Sequence, residues 1–76
     1  MITLYTRPNC PLCDEAKMMM ELVREDFPFE YEEVNIESDD AIHEKYMLMI
    51  PVVEKDGQVA IYGNIGYIEL LEALEF

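Results

Sequence analysis

The stretch Ile2-Thr3-Leu4-Tyr5-Thr6-Arg7-Pro8-Asn9-Cys10-Pro11-Leu12-Cys13-Asp14-Glu15-Ala16-Lys17 decides how this chain folds. Ile2 to Thr6 alternates and is rich in β-forming residues, which reads as a strand. Thr6 to Asn9 is a loop, and from Pro11 the apolar period lengthens. Leu12, Ala16, Met19 or Met20, Val23 and Phe27 recur every three or four residues, marking the inward face of a helix that ends near Glu25. The two cysteines of the chain, Cys10 and Cys13, sit where strand and loop give way to this helix.

That placement has chemical consequences. Cys10 falls at the N-cap, and Pro11 suits the first helical position because its missing N–H has no helical partner to lose. The amides of Leu12 and Cys13 are left unpaired and are expected to point back at the Cys10 sulfur. There they stabilise a thiolate, the nucleophile of disulfide exchange. Cys13 lies about one turn into the helix, near enough to bond Cys10 and more deeply placed, as suits a resolving thiol. Arg7 and Lys17 are nearby cations that favour the thiolate, whereas Asp14 and Glu15 disfavour a second anion. Cys10 is expected to be more acidic than the free value of about 8.5.

Outward from this segment, Pro28 blocks continuation of the helix, and Phe29 to Ile36 reads as a second strand. Its alternation slips between Glu32 and Val34, and its glutamates suit a sheet edge. Ser38-Asp39-Asp40 starts a short helix with a capping hydroxyl, running to about Tyr46 with Ile42 and Tyr46 inward. Met47 to Ile50 leads into Pro51, and Val52 to Lys55 is a third strand. Asp56-Gly57 is a two-residue hairpin turn into a fourth strand, Gln58 to Tyr62. Gly63 to Gly66 forms a turn, with Asn64 or Gly66 as a cap. Tyr67 to Phe76 is a last helix with Ile68, Leu71 and Leu74 on one side. The order is βαβαββα over a single domain, residues 1–76. The crossover makes the first two strands parallel and right-handed, and the last two form an antiparallel hairpin. An α/β fold with a four-stranded mixed sheet and helices on both faces covers this apolar surface.

Composition narrows the chemistry. Seventy-six residues allow one small domain with a thin core, and 51% apolar content with a mean hydropathy of −0.03 marks a folding chain. Seventeen acidic residues against five basic ones give −12, which argues against nucleic acid and anionic membranes. The charge is uneven: residues 1–24 carry three acids and three bases, and residues 25–76 carry fourteen acids and two bases. The redox half is thus neutral on an acidic body, which biases encounter toward basic partners. The longest apolar run, Tyr46 to Val53, contains Pro51 and is far too short to span a bilayer. No secretory signal pattern opens the sequence, so a cytoplasmic location is expected, where structural disulfides are rare. One cysteine pair closing so small a loop cannot staple a fold. Two Cys and the lone His43 are too few donors for a four-ligand zinc site, so no metal is expected.

The segment Tyr5 to Lys17 resembles the active-site segment of glutaredoxin-like proteins of the thioredoxin-fold superfamily, and Ile50-Pro51-Val52-Val53 sits where those proteins carry a cis-proline. The resemblance runs element by element along the whole chain. It implies a thioredoxin-like fold and a cis Ile50–Pro51 bond beside the cysteine pair, with the Ile50 backbone offered to a bound thiol or peptide. It departs from glutathione-binding members at three places. Leu12 stands where Tyr is usual, and Met49-Ile50-Pro51 where Thr-Val-Pro is usual. Gly63-Asn64-Ile65-Gly66-Tyr67 lacks the carboxylate that holds the γ-glutamyl end. Another small thiol or a protein disulfide therefore ranks beside glutathione.

The expected activity is thiol–disulfide exchange by a monomer, with Cys10 attacking and Cys13 resolving. Arg7, Pro11, Leu12, Ile50, Pro51 and Gly63 are expected to meet the substrate, and Arg7 and Lys17 to tune the field at Cys10. No cofactor is needed beyond a reducing thiol, such as glutathione, or a reductase. Two other classes stand beside this one. A dimer bridging a [2Fe–2S] cluster through Cys10 of each chain would be an iron–sulfur carrier. A thioredoxin-fold binding module would use the acidic surface without catalysis. Plainer readings apply elsewhere. Met18, Met19 and Met20 fill core with one left exposed, His43 is a helix-surface residue, and Glu30 to Asp40 is a solvated edge.

Overall fold

A computed structural model describes residues 1–76. Its elements are β1 (Ile2–Thr6), α1 (Pro11–Asp26), β2 (Tyr31–Asn35), α2 (Asp40–Tyr46), β3 (Val52–Lys55), β4 (Gln58–Tyr62) and α3 (Tyr67–Leu74), with a 3-10 turn at Ile36–Ser38 between β2 and α2. The four strands make one mixed sheet in the order β2-β1-β3-β4. β1 runs parallel to β2 and antiparallel to β3, and β3 pairs antiparallel with β4. The glutamate-rich β2 is an edge strand, as its composition requires.

Alternation along β1 divides the core. Ile2 and Leu4 face α1 and α3, where they pack with Ala16, Met20, Val23, Val53, Ile65, Leu70 and Leu74. Val52, next to Val53 and so on the other side of the pleat, packs with Ile36 and Tyr46, flanked by Tyr5, Ile42, Met49 and Ile50. Helices therefore cover both faces. The α2 side is much the thinner, with three buried residues against nine.

The inward stripe of α1 is Cys13, Ala16, Met20 and Val23. Leu12, expected inward, is 42% exposed, because Cys13 takes the buried place one residue on as a small hydrophobe. Phe27 is also exposed and stacks on Phe76. β2 is shorter than Phe29 to Ile36, since Phe29 lies before the pairing starts and Ile36 enters the 3-10 turn. Asp39, not Ser38, caps α2: its carboxylate accepts from Ala41 N and Ile42 N, while the Ser38 hydroxyl donates to the Asn35 carbonyl. On α3 the buried residues are Leu70 and Leu74, with Ile68 59% exposed. The helix stops at Leu74, with Glu75 left-handed behind it. The Asp56-Gly57 turn has positive φ at both residues, 53° and 82°, the conformation of a two-residue hairpin.

Candidate active site

Both cysteines lie at the C-terminal edge of β1, where the chain turns into α1. Asn9 adopts a left-handed backbone (φ 57°), which Asn tolerates better than most residues and which reverses the chain just ahead of Cys10. Cys10 is then extended as the N-cap, with Pro11 opening the helix. The first helical bond runs from Asp14 N to the Cys10 carbonyl at 3.1 Å. The amide of Cys13 donates to Cys10 Sγ at 3.1 Å. Leu12 N makes no such bond, so one of the two expected amides holds the sulfur.

Cys10 and Cys13 are joined as a disulfide with their Cα atoms 5.2 Å apart, within the ordinary span of such bonds. Their surroundings differ. Cys13 is 3% exposed inside the α1 stripe, whereas Cys10 is half-buried and lines a cleft. That cleft, of about 420 Å³, lies between Arg7, Asn9, Cys10, Pro11 and Leu12 on one wall and Met47, Leu48 and Ile50 on the other. Leu48 is 92% exposed at its lip. The sequence gives Met47 and Leu48 no role beyond leading into Pro51. The signal for one was an apolar pair just past the end of α2 with no helical or strand face to occupy.

The Ile50–Pro51 peptide bond is cis. Pro51 is fully buried and does not line the cleft, while Ile50 does. The Ile50 amide donates to the Tyr46 carbonyl at 3.2 Å, so of the backbone groups expected to face a ligand only the carbonyl is left over. Gly63 also stands behind the cleft and not in it. At φ 82° it turns its N–H onto the Pro51 carbonyl at 2.8 Å, tying the proline segment to the end of β4.

The two cations part company. Arg7 is exposed and lines the Cys10 cleft. It also lines a second, polar cleft of about 380 Å³ formed with Thr6, Pro8, Asn9, Asp14, Glu33 and Asn35. Lys17 instead pairs with Glu33 at 3.0 Å, and Glu33 in turn accepts from Thr6 Oγ1 at 3.0 Å. The Glu33 carboxylate raises the Lys17 pKa, mainly through the hydrogen bond. Much of the Lys17 field is thereby cancelled locally. No group of three or more His, Cys, Asp or Glu side chains converges as a metal site, and no helix is long and apolar enough to cross a membrane.

A four-stranded mixed sheet carrying a Cys-x-x-Cys at the start of its first helix and an X-Pro ahead of β3 defines a thioredoxin-fold protein with a redox-capable cysteine pair. The sequence matches the model of the Glutaredoxin-like domain (DUF836) family over residues 1–75, and the chain belongs to that family. It is similar to a structural-genomics target protein from X. campestris, at 28% identity and a TM-score of 0.85, over 99% of this chain and 96% of that one. It is also similar to the thioredoxin-like protein BC3987, at 29% identity and a TM-score of 0.65, over 97% and 99% of the two chains. Thioredoxin 1 from Thermosipho africanus shares the fold at 14% identity, with a TM-score of 0.67 over 97% and 89%.

Proposed function

We propose that this protein is a thiol–disulfide oxidoreductase that reduces protein or low-molecular-weight disulfides. The observation that carries the reading is the asymmetry of the pair: Cys10 is open to a cleft with an amide on its sulfur, and Cys13 is buried behind it. In the reduced protein the Cys10 thiolate attacks one sulfur of a substrate disulfide. A mixed disulfide forms, and the other substrate sulfur leaves as a thiolate that takes up a proton. Cys13, deprotonated, then attacks Cys10 Sγ, which releases the second substrate thiol and leaves Cys10–Cys13 oxidised. Two electrons pass from the dithiol to the substrate. A low-molecular-weight thiol such as glutathione, or a reductase, returns the pair to the dithiol.

The apolar lip formed by Leu12, Met47 and Leu48 favours a substrate with apolar side chains beside its cysteine. The surplus of acids over residues 25–76 favours a basic partner at the encounter stage. A reducing compartment such as the cytoplasm suits a dithiol that must be regenerated. The direct test is reduction of a disulfide peptide by pre-reduced protein. Cys10→Ser is expected to abolish the reaction, and Cys13→Ser to accumulate the mixed disulfide. A reaction untouched by either substitution would remove the enzyme reading.

A further inference from the structure

On the α2 face of the sheet, away from the cysteines, one half-buried carboxylate serves two phenols. Glu54 Oε1 accepts from the Tyr5 hydroxyl at 3.4 Å, and its other oxygen accepts from the Tyr46 hydroxyl. The two rings lie 5.0 Å apart, tilted by 46°. Burial, then the Glu54 carboxylate, pushes both phenols above their ordinary pKa, so both are donors at neutral pH.

These tyrosines stand at the roots of the two walls of the Cys10 cleft. Tyr5 is the penultimate residue of β1, which passes through Thr6 into the Arg7–Leu12 wall. Tyr46 is the last residue of α2, and its carbonyl accepts from Met49 N at 2.8 Å and Ile50 N at 3.2 Å. It therefore holds the Met47–Ile50 wall. The second wall has two other backbone ties, Met47 N to the His43 carbonyl at the end of α2 and Gly63 N to the Pro51 carbonyl just past Ile50. The core cluster beneath α2 has three buried residues, Ile36, Tyr46 and Val52, and α2 itself is seven residues long. Where apolar packing is thin, a satisfied polar tie decides where an element sits.

We propose that Glu54 is a positioning residue for the cleft: its single carboxylate, through Tyr5 and Tyr46, sets the spacing between the wall that carries Cys10 and the wall that carries Ile50. This rests on the oxidoreductase reading for its consequence, which is selective. A substrate that spans both walls needs the spacing. A small disulfide that meets only the sulfur does not.

The test uses single-turnover reactions of the pre-reduced full chain. One substrate is a synthetic disulfide peptide with leucine beside each cysteine, and the other is hydroxyethyl disulfide. Glu54→Leu and Tyr46→Phe are each expected to raise the half-saturating peptide concentration about fivefold or more. The limiting rate, and the rate with hydroxyethyl disulfide, should stay within about twofold. Glu54→Gln keeps one acceptor oxygen and can offer its amide N–H to the oxygen of the other phenol, so it should recover much of the parent behaviour. Amide exchange of Met49 and Ile50 should quicken about tenfold in Tyr46→Phe, with Leu4 and Val53 unchanged. Tyr46→Phe keeps the ring in the core and so carries the test even where Glu54→Leu does not fold. Parallel loss with both substrates, failure of Glu54→Gln to rescue, or unchanged exchange at Met49 and Ile50 would overturn the proposal. A parent protein inert toward both disulfides would sink the oxidoreductase reading instead, and the exchange measurement alone would then decide the role of Glu54.

Discussion

The amide N–H of Cys13 donates to the Sγ of Cys10 over 3.1 Å. Hydrogen bonds of this kind strengthen when the acceptor carries charge, so in the reduced protein the contact favours a thiolate on Cys10. Cys13 receives no comparable donor and is buried, which disfavours its own anion. Reduced protein titrated with iodoacetamide should therefore show Cys10 alkylating at lower pH than Cys13, and much faster at pH 7. Mass spectrometry of peptides after brief labelling checks the order. Equal labelling of the two would remove the asymmetry on which the proposed mechanism depends.

Stability should fall in alkali, and the phenols give the reason. Tyr5, Tyr31, Tyr46 and Tyr67 each donate to a carboxylate, of Glu54, Glu21, Glu54 and Asp26 respectively. All four have raised pKa values. Burial is the largest cause for Tyr5, Tyr31 and Tyr46, and the hydrogen bond to Asp26 is the largest for Tyr67. Tyr31 is pushed up to about 12 from an ordinary 10.0. A folded value above the unfolded one means that the folded state holds the proton more tightly. The contribution is thus complete below pH 10 and fades as pH rises through the folded values. Denaturation midpoints at pH 9 and pH 11.5 should show the loss, and Tyr31→Phe should lessen it. Phenolate absorbance rising in one step near pH 10, while the protein stays folded, would contradict this.

Much of the fold was legible because its punctuation is local. The bounds of β1, β3 and β4, and the hairpin at Asp56-Gly57, follow from alternation and turn chemistry within a few residues of each other. The Cys10 N-cap was legible for the same reason. Errors arose where the deciding contact is distant or where two residues compete. Leu12 fits the helical period as well as Cys13 does, and only packing against the sheet separates them. Ser38 and Asp39 both suit a cap, and the turn at Ile36–Ser38 assigns the task to Asp39. On α3, Leu71 and Leu70 lie three and four residues before the inward Leu74, so both fit the helical period, and packing selects Leu70. Glu54 was beyond reach, since its phenolic partners lie 49 and 8 residues away in sequence and nothing in a strand glutamate marks a carboxylate with two donors.

The basic residues beside the cysteines should separate in experiment. Lys17 is paired with Glu33, an exposed ion pair of the kind that contributes little to stability. Arg7 forms no ion pair and lines the cleft. Replacing Arg7 with Gln should slow the reaction of the reduced protein with an anionic aromatic disulfide about three- to tenfold at low salt. The gap should narrow at 1 M salt, where the screening length is about 3 Å. Lys17→Gln should change the same rate by less than twofold. Stopped-flow absorbance gives both numbers. A larger effect from Lys17 than from Arg7 would show that the Glu33 pair opens in solution.

Burial and function should also come apart along α1 and the loop facing it. Met20 is fully buried in the main core, so Met20→Ala should lower stability by about 2–5 kcal/mol. Leu12 and Leu48 are 42% and 92% exposed, and exposed positions of this kind usually shift stability by less than about 0.5 kcal/mol. Both line the Cys10 cleft. Leu12→Ser and Leu48→Ser should therefore leave the urea midpoint nearly unchanged while weakening peptide-disulfide reduction, with hydroxyethyl disulfide reduced as before. Met20→Ala should do the reverse under conditions where it remains folded: a lower midpoint and ordinary rates with both substrates. The pairing of midpoints with rates is what discriminates. Loss of peptide reduction only in step with loss of stability would mean that the lip formed by Leu12 and Leu48 is not a contact surface for substrate.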